Sequence, residues 1–379
     1  MPGFELIGKE EQEAVNQIFN DGGILFAHGF DAMRKNFHVR EFEAMTTKYF
    51  NCNHALAVSS GTAAIKVGLK ALGIKPGDEV ITQAFNFIAT VEAILDCGAV
   101  PVIANVDDSL NMDPADCESL INEKTKVLLP VHMLGIPVDM NSIMEIARKY
   151  NLKVMEDNCE SVGAKYDGKY LGTIGNAGAF SYDFGKVITT GEGGMVVTND
   201  EAVEKYAREY HDHGHENNPN FPRGKDTKTN YGFNYRMTEM QAAVGKVQLG
   251  RLNHIIAENK TRYQAIEDNV PSTVKTRHIP NGSDPIYDTF IFFTESKEEK
   301  ARYIRILNDE GFGTKNLPDA LEWHCSAFWD HALSARQIEH SNKTKDLLGK
   351  AIAVPIWLQK KPEEYVVLVK RLFDNNIHI

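Results

Sequence analysis

Short apolar runs alternate with helical patterns between about Ser59 and Asn199. The runs are rich in β-branched residues, as buried strands are, and the segments between them space their apolar residues three and four apart, as helices on a sheet do. The predicted strands are Glu79–Thr82, Val100–Ala104, Lys126–Val131, Lys153–Glu156, Ala179–Tyr182 and Met195–Thr198, and the predicted helices are Ala63–Leu72, Ile88–Asp96 and Met140–Tyr150. This alternation predicts an α/β fold with a mostly parallel sheet.

The pattern changes after residue 210. His211–Asn230 has no periodicity and is rich in His, Asn, Pro, Gly and charge, so we expect a long loop, followed by a strongly periodic helix over Thr238–Ile256. The remainder predicts a small α+β unit with a strand at Thr289–Phe293, helices at Lys297–Glu310 and Pro362–Phe373, and a loop that holds Trp323, His324, Trp329 and His331. Because single cores usually stop growing at about 250 to 300 residues, we expect a large domain at 1–256 and a small domain at 257–379.

Composition narrows the class of protein. The 379 residues are 42% hydrophobic and carry a net charge of −11, which argues against disorder and against a nucleic-acid partner. The five cysteines are scattered and form no CxxC pair, so we expect neither a disulfide framework nor a metal site. The start, Met1–Glu5, has no basic residues followed by an apolar stretch, and no apolar run reaches about 18 residues. We therefore expect a cytoplasmic protein that does not bind membranes.

Three motifs carry candidate chemistry. The first is Ser59-Ser60-Gly61-Thr62-Ala63-Ala64, which follows the apolar run Ala55–Val58 and opens a helix. Small residues and free amides at a helix start favour an anion such as phosphate. An ordinary Ser/Thr helix cap is the alternative.

The second motif, Glu156-Asp157-Asn158, places acids at the carboxyl end of a predicted strand, where open α/β sheets bind ligands. A carboxylate there could keep a pyridine nitrogen protonated, and the protonated ring would then act as an electron sink. Alternatively, Asp157 caps the next turn.

The third motif runs from Ser181-Tyr182-Asp183-Phe184-Gly185-Lys186 through Thr189-Thr190-Gly191-Glu192-Gly193-Gly194-Met195. A lone lysine lies between two apolar strands, beside glycines that allow a ligand to approach the backbone. Such a setting predicts a lowered pKa for Lys186 and a nucleophilic amine that reacts with aldehydes. A solvated surface lysine is the alternative.

Together with Gly232-Phe233-Asn234-Tyr235-Arg236-Met237, these motifs resemble the DegT/DnrJ/EryC1/StrS family of sugar aminotransferases, which has the aspartate aminotransferase fold of type I. The resemblance spans nearly the whole chain and is dense from about Val39 to Leu252. It implies a large domain with a mixed, mostly parallel sheet, a small C-terminal domain and pyridoxal 5'-phosphate as cofactor. Lys186 is implied to hold that cofactor as a Schiff base and to move the substrate proton.

The resemblance also implies a role for each matching residue. Asp157 would contact the pyridine nitrogen, Phe87 would stack on the ring, and Gly61, Thr62 and Ser181, with Ser60 beside them, would bind the phosphate. Asn234 would reach the phosphate of a neighbouring subunit, which implies a homodimer with shared active sites. Glu160 departs from the family pattern, because a second carboxylate near the cofactor would be repelled unless it were protonated or displaced.

Residues that could select the substrate depart from the pattern of relatives that bind nucleotide-linked sugars. Leu321–His331 lacks their Pro-x-His-x-Gln stretch, and Leu25–Asn36 is longer than their usual link. An arginine there could bind a carboxylate, although a solvated charge cluster is an equal alternative. The candidate substrate residues are Phe26, His28, Arg34, Lys35, His38, Arg236 and His324.

These departures resemble the subgroup that aminates an oxidised eight-carbon 3-deoxy-octulosonate for lipopolysaccharide, with glutamate as amino donor. A nucleotide-linked keto-deoxysugar is the alternative substrate. A dehydratase is disfavoured because its relatives carry histidine where this chain has Lys186. A nicotinamide oxidoreductase would need a Gly-x-Gly-x-x-Gly turn that the chain lacks, and a non-catalytic cofactor-binding regulator stays open.

Overall fold

The computed structural model describes residues 2–217 and 223–373; Met1, part of the predicted loop and part of the predicted small domain lie outside them. Within the described residues there are twelve strands. They are β1 (His54–Val58), β2 (Glu79–Gln83), β3 (Val100–Ala104), β4 (Thr125–Leu128), β5 (Lys153–Asp157), β6 (Lys165–Tyr166), β7 (Lys169–Tyr170), β8 (Ala177–Ser181), β9 (Gly194–Thr198), β10 (Ser283–Asp284), β11 (Thr289–Phe293) and β12 (Ala351–Pro355).

The same residues form fourteen α-helices and three short 3₁₀ turns. The helices are α1 (Pro2–Glu5), α2 (Lys9–Asn20), α3 (His38–Phe50), α4 (Gly61–Ala71), α5 (Ala89–Asp96), α6 (Pro114–Ser119), α7 (Met140–Tyr150), α8 (Glu201–Tyr210), α9 (Glu239–Glu267), α10 (Lys297–Asp309), α11 (Leu321–His324), α12 (Ala335–His340), α13 (Asn342–Leu348) and α14 (Pro362–Phe373). The 3₁₀ turns are Met133–Gly135, Arg223–Lys225 and Ser326–Phe328. No helix of the described chain is both long and apolar enough to cross a membrane.

A seven-stranded sheet in the order β1-β9-β8-β5-β4-β2-β3 forms the centre of the fold. The five strands from β8 to β3 run parallel to one another, whereas β9 is antiparallel to both β8 and β1. The strands are almost wholly buried, as expected for a sheet covered by helices. The predicted α/β class with a mixed, mostly parallel sheet is confirmed.

The predicted strands and helices are present, and two of them, β4 and α9, end three or more residues away from their predicted ends. Strand β4 stops at Leu128 rather than at Val131. Helix α9 runs to Glu267 rather than ending at Ile256. Its second half continues to bury Tyr263 and Ile266, so the apolar face extends beyond the predicted end.

The C-terminal part of the chain packs in two ways. Residues from Tyr263 onward form an apolar cluster of their own around β11, β12 and α14. Other residues of this part, among them Leu317 and Cys325, join the core of the central sheet. The division at residue 256 stays a prediction, and it falls inside the continuous helix α9.

Candidate active site

One edge of the central sheet brings the three sequence motifs together. Strand β5 ends at Asp157, which lies opposite Ala179 of the parallel strand β8. On the other side of β8, Ser181 and Val58 both lie opposite Gly194 of β9. The carboxyl ends of β1, β5 and β8 therefore meet at the edge where open α/β sheets bind ligands.

A cavity of about 350 Å³ opens at this edge. Nine of the predicted site residues line it: Ser60, Gly61, Thr62, Phe87, Asp157, Glu160, Ser181, Lys186 and His324. The other predicted residues do not: Asn234, Phe26, His28, Arg34, Lys35, His38 and Arg236 are absent from its described walls.

The start of helix α4 forms one wall of the cavity. Ser60 caps the helix by accepting a hydrogen bond from the amide of Ala63 at 3.1 Å, while the hydroxyl of Ser181 lies beside Gly61. A Cβ on Gly61 would lie 2.7 Å from the Cβ of Ser181, and one on Gly194 would lie 2.2 Å from the carbonyl oxygen of Ser60. Both glycines are therefore needed for the close approach that gathers amides and hydroxyls here, a setting that suits phosphate.

Asp157 is a buried carboxylate that forms no ion pair within the described chain. It is 3% exposed; its two oxygens accept hydrogen bonds from the Thr90 hydroxyl at 2.8 Å and the Cys159 amide at 3.1 Å. Across residues 2–217 and 223–373, no lysine, arginine or histidine forms an ion pair with it. A buried charge without a partner is costly, so this wall suits a cationic ligand atom.

Lys186 lies on a turn after β8. Its amide donates to the carbonyl of Asp183 at 3.1 Å, and Phe184 stacks on Phe4 of α1 with ring centroids 4.9 Å apart. A Cβ on Gly3 would meet the carbonyl oxygen of Lys186 at 2.7 Å, so α1 packs directly against this turn. The lysine side chain is 19% exposed and points into the cavity it lines.

Glu160 lies within ion-pair distance of Lys186, with Oε1 3.4 Å from Nζ. Burial favours a lower pKa for the lysine, but the charges of Glu160, Asp183 and Asp157 outweigh it, and the pKa of Lys186 is raised. The predicted lowering of that pKa is therefore wrong for the protein without ligand, because the sequence did not reveal how many carboxylates surround the amine.

Glu160 itself is ionised. Burial favours a higher pKa, but the charges of Lys186, His324 and Lys315 and the amide of Leu134 outweigh it and lower the pKa of Glu160 to about 2. The pairing with Lys186 therefore favours the ionised form of Glu160 over the protonated form that the sequence allows.

Phe87 and His324 form another wall. Their ring centroids are 5.4 Å apart, and Phe87 is 44% exposed, so its face is available to a flat ligand. Nδ1 of His324 donates to the carbonyl of Ala320 at 2.8 Å, which leaves Nε2 for other partners. The amide of Asn86 donates to the carbonyl of His324, so the two loops are joined.

The substrate role predicted for Arg34 is contradicted. Its side chain is 2% exposed, and its guanidinium donates to the carbonyls of Phe26, Ala27 and Gly29 at 2.8 to 3.1 Å. It also pairs with the buried carboxylate of Glu239 at 3.5 Å. Arg34 therefore holds the inserted loop together, and it is closed to a substrate.

Three other predicted substrate residues surround Asp212. Its carboxylate accepts hydrogen bonds from Arg236 at 2.5 Å and from Arg223 at 2.5 and 2.7 Å, and both guanidiniums lie over the Phe26 ring. His28 lies 3.8 Å from the same carboxylate, and burial together with the nearby His211 lowers the pKa of His28 to about 3. This cluster is outside the cavity of its own chain.

The remaining predicted residues also lie elsewhere. His38 starts α3 and is buried, and burial lowers the pKa of its ring. Lys35 is exposed, and its amide donates to Asp21. Asn234 is exposed and accepts a hydrogen bond from the amide of Arg236 at 3.4 Å. A role for Asn234 at the site of a second subunit stays a prediction.

Sequence reasoning missed several residues that line the cavity: Thr90, Cys159, Asp183, Asp288, Lys315 and Asn316. Thr90 could have been found, because it lies in the first turn of α5, only three residues after Phe87. Asp288 and Lys315 carry no local motif; they reach the cavity only through the packing of β11 and β12 on the sheet.

Comparison with known proteins identifies the chain. The DegT/DnrJ/EryC1/StrS aminotransferase family matches residues 6–372. The chain belongs to this family. The GDP-perosamine synthase of Escherichia coli O157:H7 is 35% identical over 316 residues, which is 82% of each chain. The GDP-perosamine synthase of Caulobacter vibrioides is 43% identical over 220 residues, or 57% of each chain. The crystal structure of an aminotransferase from Psychrobacter cryohalolentis superposes with a TM-score of 0.82 at 28% identity, covering 97% of this chain and 98% of that one.

As a member of the DegT/DnrJ/EryC1/StrS family, the protein is an aminotransferase that uses pyridoxal phosphate, and the predicted family, enzyme class and cofactor are confirmed. The residues present fit this cofactor. The unpaired carboxylate of Asp157 suits the cationic ring nitrogen, the α4 cradle suits the phosphate, Phe87 offers a ring face, and Lys186 supplies an amine.

Proposed function

We propose that this aminotransferase transfers an amino group from glutamate to a free acidic keto-sugar, an oxidised eight-carbon 3-deoxy-octulosonate aminated at C8 to give the 8-amino-3,8-dideoxy sugar used in lipopolysaccharide. The main support for this proposal is the size of the cavity. About 350 Å³ is at the low end of the range of roughly 300 to 1,000 Å³ for small-molecule sites, and the cofactor must share it. A single free sugar suits this space better than a sugar that carries a nucleotide.

In this proposal, each residue that lines the cofactor site has a separate role. Asp157 would hold the cofactor's ring nitrogen in its protonated form, Ser60, Gly61, Thr62 and Ser181 would bind the phosphate, and Phe87 would offer its face to the ring. The bound cofactor supplies an electron sink for the carbon that loses or gains a proton. Lys186 Nζ would hold the cofactor before the substrate binds and, once the substrate has displaced it, would carry that proton to and from the substrate carbon as a free amine.

A homodimer is part of the proposal. The cavity is lined by five acidic residues, Asp157, Glu160, Asp183, Glu192 and Asp288, against two lysines in the described chain, Lys186 and Lys315. A phosphate and an acidic substrate need further positive charge. Arg223 and Arg236 together carry two positive charges against the one negative charge of Asp212, so one positive charge is not neutralised by that carboxylate. Exposed apolar side chains such as Met33, Tyr231 and Trp323, each more than 60% exposed, suit an interface with a second copy.

Mixed dimers would test the shared site. We expect K186A and N234A to be inactive alone; after they are unfolded and refolded together, half of the dimers are mixed and each mixed dimer has one intact site. About a quarter of wild-type activity should then return. No return of activity would mean that Asn234 acts within its own chain, and full activity of N234A alone would mean that Asn234 has no role.

A nucleotide-linked keto-sugar is the second candidate, favoured by the names of the similar GDP-perosamine synthases. The purified enzyme with pyridoxal phosphate and glutamate would be given the 8-oxo acid or a nucleotide-linked 4-keto sugar, and aminated products would be identified by mass spectrometry. We expect kcat/KM to be higher for the free acid. Amination of the nucleotide sugar alone would refute the proposal, and no product from either would refute both candidates.

A further inference from the structure

The C-terminal part of the chain adds a buried ion pair to the cavity. Nζ of Lys315 lies 2.5 Å from Oδ2 of Asp288, and both residues line the cavity that contains Lys186. Their side chains are 9% and 5% exposed. This lysine is therefore a desolvated cation inside the site rather than a surface charge.

The backbone holds Lys315 firmly. Its amide donates to the carbonyl of Ala353 in β12 at 2.9 Å, and its carbonyl accepts from the amide of Leu317 at 2.7 Å. The next residue, Asn316, has a φ of +64° and also lines the cavity. A non-glycine residue in this left-handed region is uncommon and is frequently found at binding sites. The position of the ammonium is thus set by a strand edge, as precise binding requires.

Asp288 has a hydrogen-bond partner besides Lys315. Its Oδ1 also accepts a hydrogen bond from the Thr289 hydroxyl at 2.9 Å. The Lys315 ammonium has three donors, and the described chain provides one hydrogen-bond partner for them, Asp288. Two donors are therefore available for a ligand in the cavity.

The charge of Lys315 also acts on the reacting end of the site. It is one of the charges that lower the pKa of Glu160, which pairs with Lys186. A group held by Lys315 would therefore lie in the same electrostatic environment as the amine that reacts. The sequence predicts that Arg34 binds the substrate acid. Its guanidinium instead donates hydrogen bonds to three backbone carbonyls and is not available to a substrate.

We propose that Lys315 is the specificity-determining residue that binds the carboxylate of the substrate, with Asp288 holding the ammonium in place until the substrate arrives. This inference rests on the proposed function, since the alternative substrate, a nucleotide-linked 4-keto-deoxysugar, has no carboxylate to offer. It also explains why a protein of net charge −11 carries a buried cation in a cavity rich in acids.

The test compares K315M with K315R and with a matched control. Lys66 pairs with Asp96 and is also largely buried, with a side chain 11% exposed, but it lies outside the cavity. K66M therefore removes a similar lysine without touching the site. The substrates are the 8-oxo acid and its carboxamide, which lacks the charge. Binding of the unoxidised eight-carbon acid to the holoenzyme is measured by calorimetry.

We expect K315M to raise KM for the acid and to weaken calorimetric binding by roughly ten- to a hundredfold, the usual effect of losing a charged hydrogen bond. The kcat for the acid and both constants for the carboxamide should change little. K315R should restore most of the binding, and K66M should behave as the wild type.

Equal KM values for the acid in wild type and K315M would overturn the inference while leaving the proposed function intact. A wild-type enzyme that aminates only nucleotide-linked sugars would overturn the proposed function, and the role of Lys315 with it. A K315M protein that loses the acid and the carboxamide alike, with K315R no better, would show a structural role for the ion pair and would also overturn the inference.

Discussion

The Nζ atom of Lys186 lies 3.4 Å from Oε1 of Glu160, and both side chains are mostly buried. In the protein without ligand this contact keeps the amine charged and the carboxylate ionised, because each charge stabilises the other. The lysine must lose its proton before it can attack an aldehyde. We therefore expect Glu160 to slow the reaction of Lys186 with the cofactor.

Replacing Glu160 by Gln should lower the pKa of Lys186 and speed cofactor capture. Each unit of pKa lost makes the neutral amine about tenfold more abundant near pH 7. Stopped-flow absorbance of apoprotein mixed with pyridoxal phosphate would measure the rate. E192Q removes another acid of the cavity, but one that does not pair with Lys186, so its rate should stay near that of the wild type. Equal rates in E160Q and wild type would contradict this role.

The same pair predicts a dependence of apoprotein stability on pH. The pKa of Glu160 is lowered from 4.5 to about 2, so its stabilising effect is complete above pH 4.5 and is lost as the pH falls towards 2. Denaturant unfolding of wild type and E160Q between pH 3 and pH 6 should show a smaller loss on acidification in E160Q. Parallel curves would mean that the ion pair contributes nothing.

Asp157→Asn should separate stability from cofactor binding. The apoprotein should gain stability, since an unpaired buried carboxylate is replaced by a neutral amide. Affinity for pyridoxal phosphate should fall about tenfold or more, because the ring nitrogen loses its charged partner. Thermal unfolding and fluorescence titration of the apoprotein measure the two effects. A lower melting temperature with unchanged affinity would show that Asp157 serves only its hydrogen bonds to Thr90 and Cys159.

Arg34→Met should destabilise the protein without changing its substrate preference. The change leaves Glu239 buried without its cation, and breaking such a pair costs about 3 kcal/mol or more. Denaturant unfolding and steady-state kinetics check the two statements. K35M, at the exposed neighbour, should leave both stability and KM unchanged. A raised KM in R34M with normal stability would restore the substrate role.

Two glycines in helix α9 should respond to alanine in opposite directions. A Cβ on Gly250 meets nothing within 4 Å, so G250A should stabilise by about 0.5 to 1 kcal/mol through better helix propensity. A Cβ on Gly245 would lie 2.7 Å from the Phe42 ring and 3.0 Å from Thr190, so G245A should destabilise. Urea unfolding measures both, and equal shifts would show that packing at Gly245 adapts.

Local periodicity predicted the elements of the fold, because strands such as β3 and helices such as α7 bury their apolar residues in register with their neighbours. The residues that fit the cofactor could be predicted from the sequence for a related reason. Ser60, Asp157 and Ser181 each lie at the end of a strand, and strand ends meet at one edge of the sheet.

The substrate side was not predictable in this way. The sequence predicts a guanidinium of Arg34 that is available to a substrate, because hydrogen bonds to backbone carbonyls such as that of Phe26 leave no pattern in the sequence. Lys315 and Asp288 are 27 residues apart, and their meeting depends on how β11 pairs with β12. The raised pKa of Lys186 likewise results from carboxylates that only the fold brings near.

Helix α9 limits where segments of this protein can be exchanged with those of its relatives. At about 1.5 Å per residue, its 29 residues span roughly 43 Å without interruption, through the position where the sequence predicts a domain boundary. Asp157 and Lys186 precede the helix, whereas Lys315 and His324 follow it. A chimaera meant to give this cofactor site a new sugar preference would therefore have to be joined inside an unbroken helix, with its turns kept in phase.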